Sequence, residues 1–358
     1  MSKELILITG GSGHIGFRTV VIALESGYRV RLALRSRARF NAIRSALARH
    51  HAQLEASLAP GRLSFVIVPD MTVPGAYDDA VNGVSKVIHI ASSITTGGKL
   101  TEKEYHDFFI KPATRGTMGM LESAAKAGTV KRVVITASVV AVVPFKVFAV
   151  TGGGDQVFDA EGRVSLDNGP YGSELQAYCA SKVATYNGTL EWLGRAKPRF
   201  DVVHLCPTYV MGRDDLQTSA ADMVTGTNAL LLSLALGKRW EGPKPGATVH
   251  NDDVAKLHVQ ALSPDIPSDT YMLNWQQEDG SGTGVDWSSV PGLIEKLFPE
   301  AAKAGKINPQ AAMGSSLHTK ISSTKTEKTF NLKFRGIEEQ IRSVVGQYIE
   351  LLENNEEK

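Results

Sequence analysis

The sequence predicts an α/β fold: a doubly wound parallel sheet with a smaller, mostly C-terminal lobe. Three observations carry this. Strand-type and helix-type patterns alternate through the first two-thirds of the chain, the runs Leu5–Ile8 and Val133–Ile135 are continuously apolar, and the first turn is glycine-rich. Continuous apolar strands are those of a sheet covered on both faces, and alternation with helices implies right-handed crossovers. In order, Leu5–Thr9 reads as a strand and Ile15–Ser26 as a helix stopped at Gly27. Arg29–Leu34 is a second strand and Arg37–Ala56 a helix; Leu63–Val68, Lys86–Ile90 and Lys131–Thr136 are further strands. Thr114–Ala127 has helical periodicity and is closed by Gly128. After Ala149 the texture changes. Thr151–Tyr171, rich in Gly and Asp, reads as a long loop of the kind that carries function. Leu175–Arg195 is a helix, Val202–Leu205 a strand, and Ser343–Leu352 a terminal helix followed by a frayed acidic tail, Glu353–Lys358. The expected division is one domain over 1–207, rejoined by 247–262, and a second lobe over 208–246 and 263–358.

Composition bounds the function. With 358 residues, 42% hydrophobic and 21% charged, the chain has the make-up of a soluble enzyme. A net charge of +2 offers no basic excess for nucleic acid. The first strand starts at Leu5, which leaves no room for a leader and predicts a cytoplasmic protein. Two cysteines, Cys179 and Cys206, make neither a disulfide framework nor a four-ligand metal site, and read as buried reduced thiols. The apolar stretch Val133–Val150 contains Pro144 and Lys146, and reads as a buried strand followed by an apolar loop rather than a membrane span.

The glycine-rich turn is Thr9-Gly10-Gly11-Ser12-Gly13-His14-Ile15-Gly16, directly after Leu5-Ile6-Leu7-Ile8. A strand, a tight glycine turn and a helix N-terminus form the cradle that a dinucleotide pyrophosphate requires, as in Rossmann-type sheets. Gly10, Gly13 and Gly16 are the key glycines, with Thr9, His14 and Ile15 as neighbouring cofactor contacts. A second element is Tyr178-Cys179-Ala180-Ser181-Lys182. Residues four apart share a helix face, so the ammonium lies near the phenol and eases its proton loss. Of nine tyrosines, only Tyr178 has a lysine four residues on. Ser138, just past the strand ending at Thr136, stands at the sheet edge where open α/β sheets bind ligands. Its hydroxyl is suited to polarising a carbonyl oxygen there.

Together the turn, Thr136-Ala137-Ser138 and Tyr178–Lys182 resemble the extended short-chain dehydrogenase/reductases. The segments 66–70, 87–92, 111–117, 130–134, 206–212 and 249–255 are similar to the dihydroflavonol reductase branch. That branch includes fungal and yeast carbonyl reductases acting on methylglyoxal-type aldehydes and ketones. The similarity runs from residue 5 to about residue 260. It implies that Tyr178 protonates the carbonyl oxygen, that Ser138 holds it, and that Lys182 binds the nicotinamide ribose. It also implies that Asp70, with Met71 beside it, meets the adenine. Ala91, Ser92 and Thr136 would line the cofactor cleft, with Pro207, Thr208 and Val210 at the nicotinamide end. Ala137 departs from the double serine usual before the catalytic position.

Cofactor choice follows from the second strand. It ends Leu34-Arg35-Ser36-Arg37-Ala38-Arg39, with no carboxylate to grip a ribose 2′-hydroxyl. A guanidinium at Arg35, with Arg39 in support, suits a 2′-phosphate, so NADP(H) is expected. The expected function is NADPH-dependent reduction of a hydrophobic aldehyde or ketone by a monomer or homodimer, with no metal. Val140, Phe145, Tyr209 and Met211 are candidate pocket walls. His89 and His258 read as packing or local hydrogen-bonding residues. One rival is a nucleotide-sugar epimerase or dehydratase, which holds NAD tightly and carries an acidic residue where Arg35 stands. Another is a cofactor-sensing protein without catalysis, which commonly lacks the Tyr–Lys pair. A cinnamoyl-CoA-type reductase would have a longer tryptophan-containing motif around the tyrosine.

Overall fold

The apolar runs form β1 (Leu5–Thr9), β2 (Arg29–Leu34), β3 (Leu63–Ile67), β4 (Lys86–His89), β5 (Arg132–Thr136) and β6 (Asp201–Pro207), and Thr270–Leu273 adds β7. The computed structural model describes residues 4–92, 100–277 and 284–356. These seven strands form one sheet of order β7-β6-β5-β4-β1-β2-β3. β1 pairs in parallel with β2 on one side and β4 on the other, and β2–β3, β4–β5 and β5–β6 are also parallel. The chain therefore reverses its winding direction at β1, the switch point where such sheets open a crevice for a ligand. Thr9 stands directly beside Ala33 on one side and His89 on the other.

Four long helices connect the strands: α1 (His14–Glu25), α2 (Arg37–His50), α3 (Lys111–Ala127) and α4 (Glu174–Ala196). Two helices end at the glycines that announced their stops, and a serine caps a third. Gly27 (φ +88°) and Gly128 (φ +67°) stop α1 and α3 in left-handed conformations, and Ser173 caps α4 by accepting the Gln176 N–H at 3.2 Å. The boundaries that differ from the sequence reading include those of the second and third helices. The helix expected over 37–56 breaks at His51 (φ −135°), leaving Ala52–Ala56 as a separate short helix. The first piece buries Ile43, Ala46 and Leu47 while the second buries nothing, so packing holds only the first to the sheet. α3 begins three residues earlier than expected, because Pro112 sits in its first turn, where no N–H is needed.

The chain divides into two units. The first comprises 1–143, 161–206 and 255–271. Its core places Leu7, Val87, Val133 and Val202 of the sheet against Met120, Leu121 and Ala124 of α3. Arg132, buried at the start of β5, donates to the carbonyls of Ala261, Ser263 and Ile266 and to the Asp201 carboxylate, tying the returning segment to the sheet. The apolar stretch 133–150 resolves into β5, a turn at Val139–Ala141 and another at Val147–Thr151. Among the described residues no helix is long and apolar enough to cross a membrane.

The second unit comprises 144–160, 207–254 and 272–358. Leu231, Leu232, Leu234, Trp287, Ile294, Ile341, Val344 and Val345 form its core. Strand Tyr209–Met211 pairs in parallel with Thr248–His250. The C-terminal helix spans Ile337–Glu356, so the acidic tail expected to fray from Glu353 continues the helix instead. Glu353 meets Lys306 at 2.8 Å, and one turn earlier Glu350 binds Arg213 through both oxygens (2.6 and 2.9 Å). Residues 357–358 lie outside the described residues.

Candidate active site

The turn after β1 is built to exclude side chains. At Gly10 (φ +72°) a Cβ would lie 2.7 Å from the Ala91 nitrogen, and at Gly16 it would lie 1.9 Å from the Gly10 carbonyl oxygen. Those two glycines are demanded by the protein itself. At Gly13 the nearest atom is 3.5 Å away, so the absent side chain there leaves the approach to the helix clear. Gly13 caps α1 without a side-chain cap bond, so the helix N-terminus, with His14 and Ile15 in its first turn, turns its positive dipole end toward the glycine turn, where an anion would sit. Gly16→Ala is expected to abolish NADPH binding and cost more than about 2 kcal/mol of stability, read by fluorescence titration and denaturant unfolding. Normal binding in that variant would mean the turn tolerates rearrangement.

Thr9 is turned inward. Its hydroxyl lies 3.1 Å from the N–H groups of both Ile90 and Ala91 and 3.0 Å from His89 Nδ1. Ala91 and Ser92, which continue from β4, are half-buried.

At the end of β2, Arg35 and Arg39 are exposed, and among the described residues neither makes an ion pair. Arg37 differs: its guanidinium sits 5.2 Å from the Phe65 ring, on which Phe40 stacks at 4.3 Å. The Asp70 carboxyl is held below its ordinary range by the Thr72 N–H and hydroxyl, with a further contribution from the Arg35 charge. Met71 packs its side chain into the space left by Gly116 of α3, its sulfur 2.9 Å from where a Cβ would stand.

Ser138 is extended (φ −163°, ψ 155°) and caps the Val139–Ala141 turn, against which α4 packs. Two residues before it, the Thr136 hydroxyl and His258 Nε2 are 2.7 Å apart. On α4, Tyr178 is half-buried, and the Lys182 ammonium lies 5.7 Å from its ring centroid. Lys182 is 7% exposed. Burial pulls its pKa down to about 8, opposed by Cys206 and Cys179 nearby. Both thiols are themselves pushed up to about 12 by burial. Ser138, Tyr178 and Lys182 thus belong to the first unit, on elements packed against one another.

The residues expected at the nicotinamide end and the pocket wall divide differently. Val140 is buried in the first unit. In the second unit Pro207, Thr208, Val210 and Met211 are buried, while Phe145 and Tyr209 are half-buried. Thr208 gives both its N–H (3.0 Å) and its hydroxyl (3.2 Å) to the Leu273 carbonyl, and the Val210 carbonyl accepts the Thr227 hydroxyl. Met211 belongs to that unit's apolar core, whereas Tyr209 meets Phe148 edge-on at 5.5 Å. His89 is the residue whose neighbourhood the sequence reading missed. Strand pairing places it beside Thr9, but nothing in the sequence shows that pairing.

Residues 6–271 match a family described as the NAD dependent epimerase/dehydratase family. The chain is 36% identical over 360 residues to a ketoreductase, CTB6, of Cercospora nicotianae, covering 99% of this chain and 98% of that protein. It is 35% identical over 350 residues to the NAD-dependent epimerase/dehydratase ALT6 of Alternaria alternata, covering 95% and 96%. Among solved structures, yeast methylglyoxal/isovaleraldehyde reductase Gre2 complexed with NADPH has the same fold, with a TM-score of 0.76, 20% identity and coverage of 98% and 99%.

Proposed function

The chain belongs to the NAD dependent epimerase/dehydratase family, and within it we propose that it is an NADPH-dependent reductase of aldehydes or ketones. The single observation that carries this reading is that α4, with Tyr178 and buried Lys182 one turn apart, packs against the turn that Ser138 caps. A ketoreductase among the relatives of similar full length supports it. The cofactor site fits: a helix α1 with no side-chain cap, a glycine-rich turn, and two exposed arginines where β2 ends that make no ion pair among the described residues. Gly10, Gly13 and Gly16 would hold the pyrophosphate, Arg35 and Arg39 the 2′-phosphate, and Lys182 the nicotinamide ribose. Bound NADPH supplies the hydride.

The chain's own residues manage the proton. The Ser138 hydroxyl donates a hydrogen bond to the substrate carbonyl oxygen and orients it. Tyr178 passes its phenolic proton to that oxygen as it becomes an alcohol, and solvent then restores the phenol. The Lys182 ammonium favours the transient phenolate. The substrate is taken to be a hydrophobic small-molecule carbonyl compound, and the protein a cytoplasmic monomer or homodimer.

Arg35→Ala is expected to weaken NADPH binding by roughly 1.5–3 kcal/mol while leaving NADH nearly untouched, as read by paired titrations. Equal losses for both cofactors would remove Arg35 from the 2′-phosphate. The name shared with ALT6 raises an epimerase or dehydratase as the rival, but the missing carboxylate at the end of β2 disfavours tightly held NAD. The deciding experiment measures NADPH consumption against a panel of aldehydes and ketones, with Tyr178→Phe as the blank. Purified protein that retains NAD and turns over without net consumption would favour the rival.

A further inference from the structure

We propose that His89 is a positioning residue for the dinucleotide: by holding Thr9, it fixes the strand end on which the glycine turn rests. This builds on the reading of that turn as the cofactor cradle. The geometry orders the protons of Thr9 and His89. The Thr9 oxygen lies 3.1 Å from the N–H of Ile90 and 3.1 Å from the N–H of Ala91, which fills both of its lone pairs. Its own O–H is left to donate to His89 Nδ1, 3.0 Å away, so that nitrogen carries no proton. The neutral ring therefore bears its proton on Nε2 and gives it to the Thr117 hydroxyl of α3, at 3.2 Å.

The ring is 2% exposed and faces Tyr77 edge-on at 6.0 Å. Burial, with the Lys182 charge adding, holds its pKa at about 3, so the ring keeps one protonation state at any working pH. One fixed tautomer thus joins β1, β4 and α3. The consequence reaches the turn because there is no slack above it: a side chain at Gly10 would meet the Ala91 nitrogen at 2.7 Å. A shift of Ala91 would alter the space directly beside Gly10. His89 touches neither cofactor nor substrate in this scheme and acts through Thr9.

The test compares His89→Asn, whose Oδ1 takes the place of Nδ1 as acceptor, with His89→Leu, which offers no acceptor. NADPH affinity is read by fluorescence titration without substrate, and folding by circular dichroism. His89→Leu is expected to weaken NADPH binding by about tenfold, with His89→Asn restoring it to within roughly threefold of wild type. At saturating NADPH, kcat should hold in both, so the loss appears in KM for the cofactor. If His89→Leu does not fold, Thr9→Val against Thr9→Ser repeats the comparison from the other side of the bond. Histidine 15N NMR of the wild type should show the Nε2–H form unchanged from neutral to mildly alkaline pH. An Nδ1–H tautomer, unchanged affinity in His89→Leu, or equal losses in the Leu and Asn variants would overturn the assignment. A wild type that binds NADPH but reduces no carbonyl would sink the proposed activity and leave the positioning role standing.

Discussion

Tyr178→Phe is expected to lower kcat by roughly a thousandfold while NADPH still binds, because general acid–base catalysis by one positioned group contributes on that scale. The substitution removes one oxygen from a half-buried ring and leaves α4 and Lys182 in place, so folding should be unaffected. Stopped-flow reduction under single-turnover conditions would place the loss on the chemical step. A variant within about tenfold of wild type would mean that water or another hydroxyl delivers the proton.

Lys182→Met should separate stability from catalysis. An ammonium that is 7% exposed, with a pKa pulled from 10.5 to about 8, is charged at a cost set by lost hydration. That shift corresponds to a cost on the order of 3 kcal/mol when the group is protonated in the folded protein. Methionine keeps the length and removes the charge, so the cofactor-free variant should be more stable in denaturant titrations, while turnover falls by more than about a hundredfold. The pH dependence of stability in the wild type has a defined sign. Below about pH 8 the lysine is charged in both folded and unfolded chains, and the burial cost is fully present. Between about 8 and 10.5 the unfolded chain holds the extra proton, so stability rises with pH through that window. Activity runs the other way, falling as the ammonium is lost above about pH 8. Lys182→Met should show neither limb. A stability profile that is flat or falling over the same range would mean Lys182 is solvated in solution.

The parts of this site legible in the sequence are those set by local rules. Gly10 and Gly16 stand out because a turn between strand and helix admits no side chain there, and Tyr178 and Lys182 because helix geometry alone puts them on one face. The parallel, doubly wound character of the sheet followed from the alternation of elements, whereas its strand order did not. What escaped depended on contacts between distant segments. The break at His51 has no proline or glycine to mark it; it reflects the absence of anything for Ala52–Ala56 to bury. Glu353 looked like a solvated tail because its partner Lys306 is far away in sequence. The packing of the Met71 side chain into the hollow at Gly116 joins segments far apart in sequence. Thr9 and His89, in register on neighbouring strands, become partners only once the sheet exists.

The two thiols beside Lys182 bear on how the protein survives its own chemistry. Aldehydes and activated ketones are electrophiles, and the protein group they modify fastest is an accessible thiolate. Cys179 and Cys206 are the chain's whole complement; both are buried, and both are held almost wholly as thiols at neutral pH. A reductase built this way offers its substrates no sulfur nucleophile, so a reactive carbonyl can accumulate around it without adduct formation at cysteine.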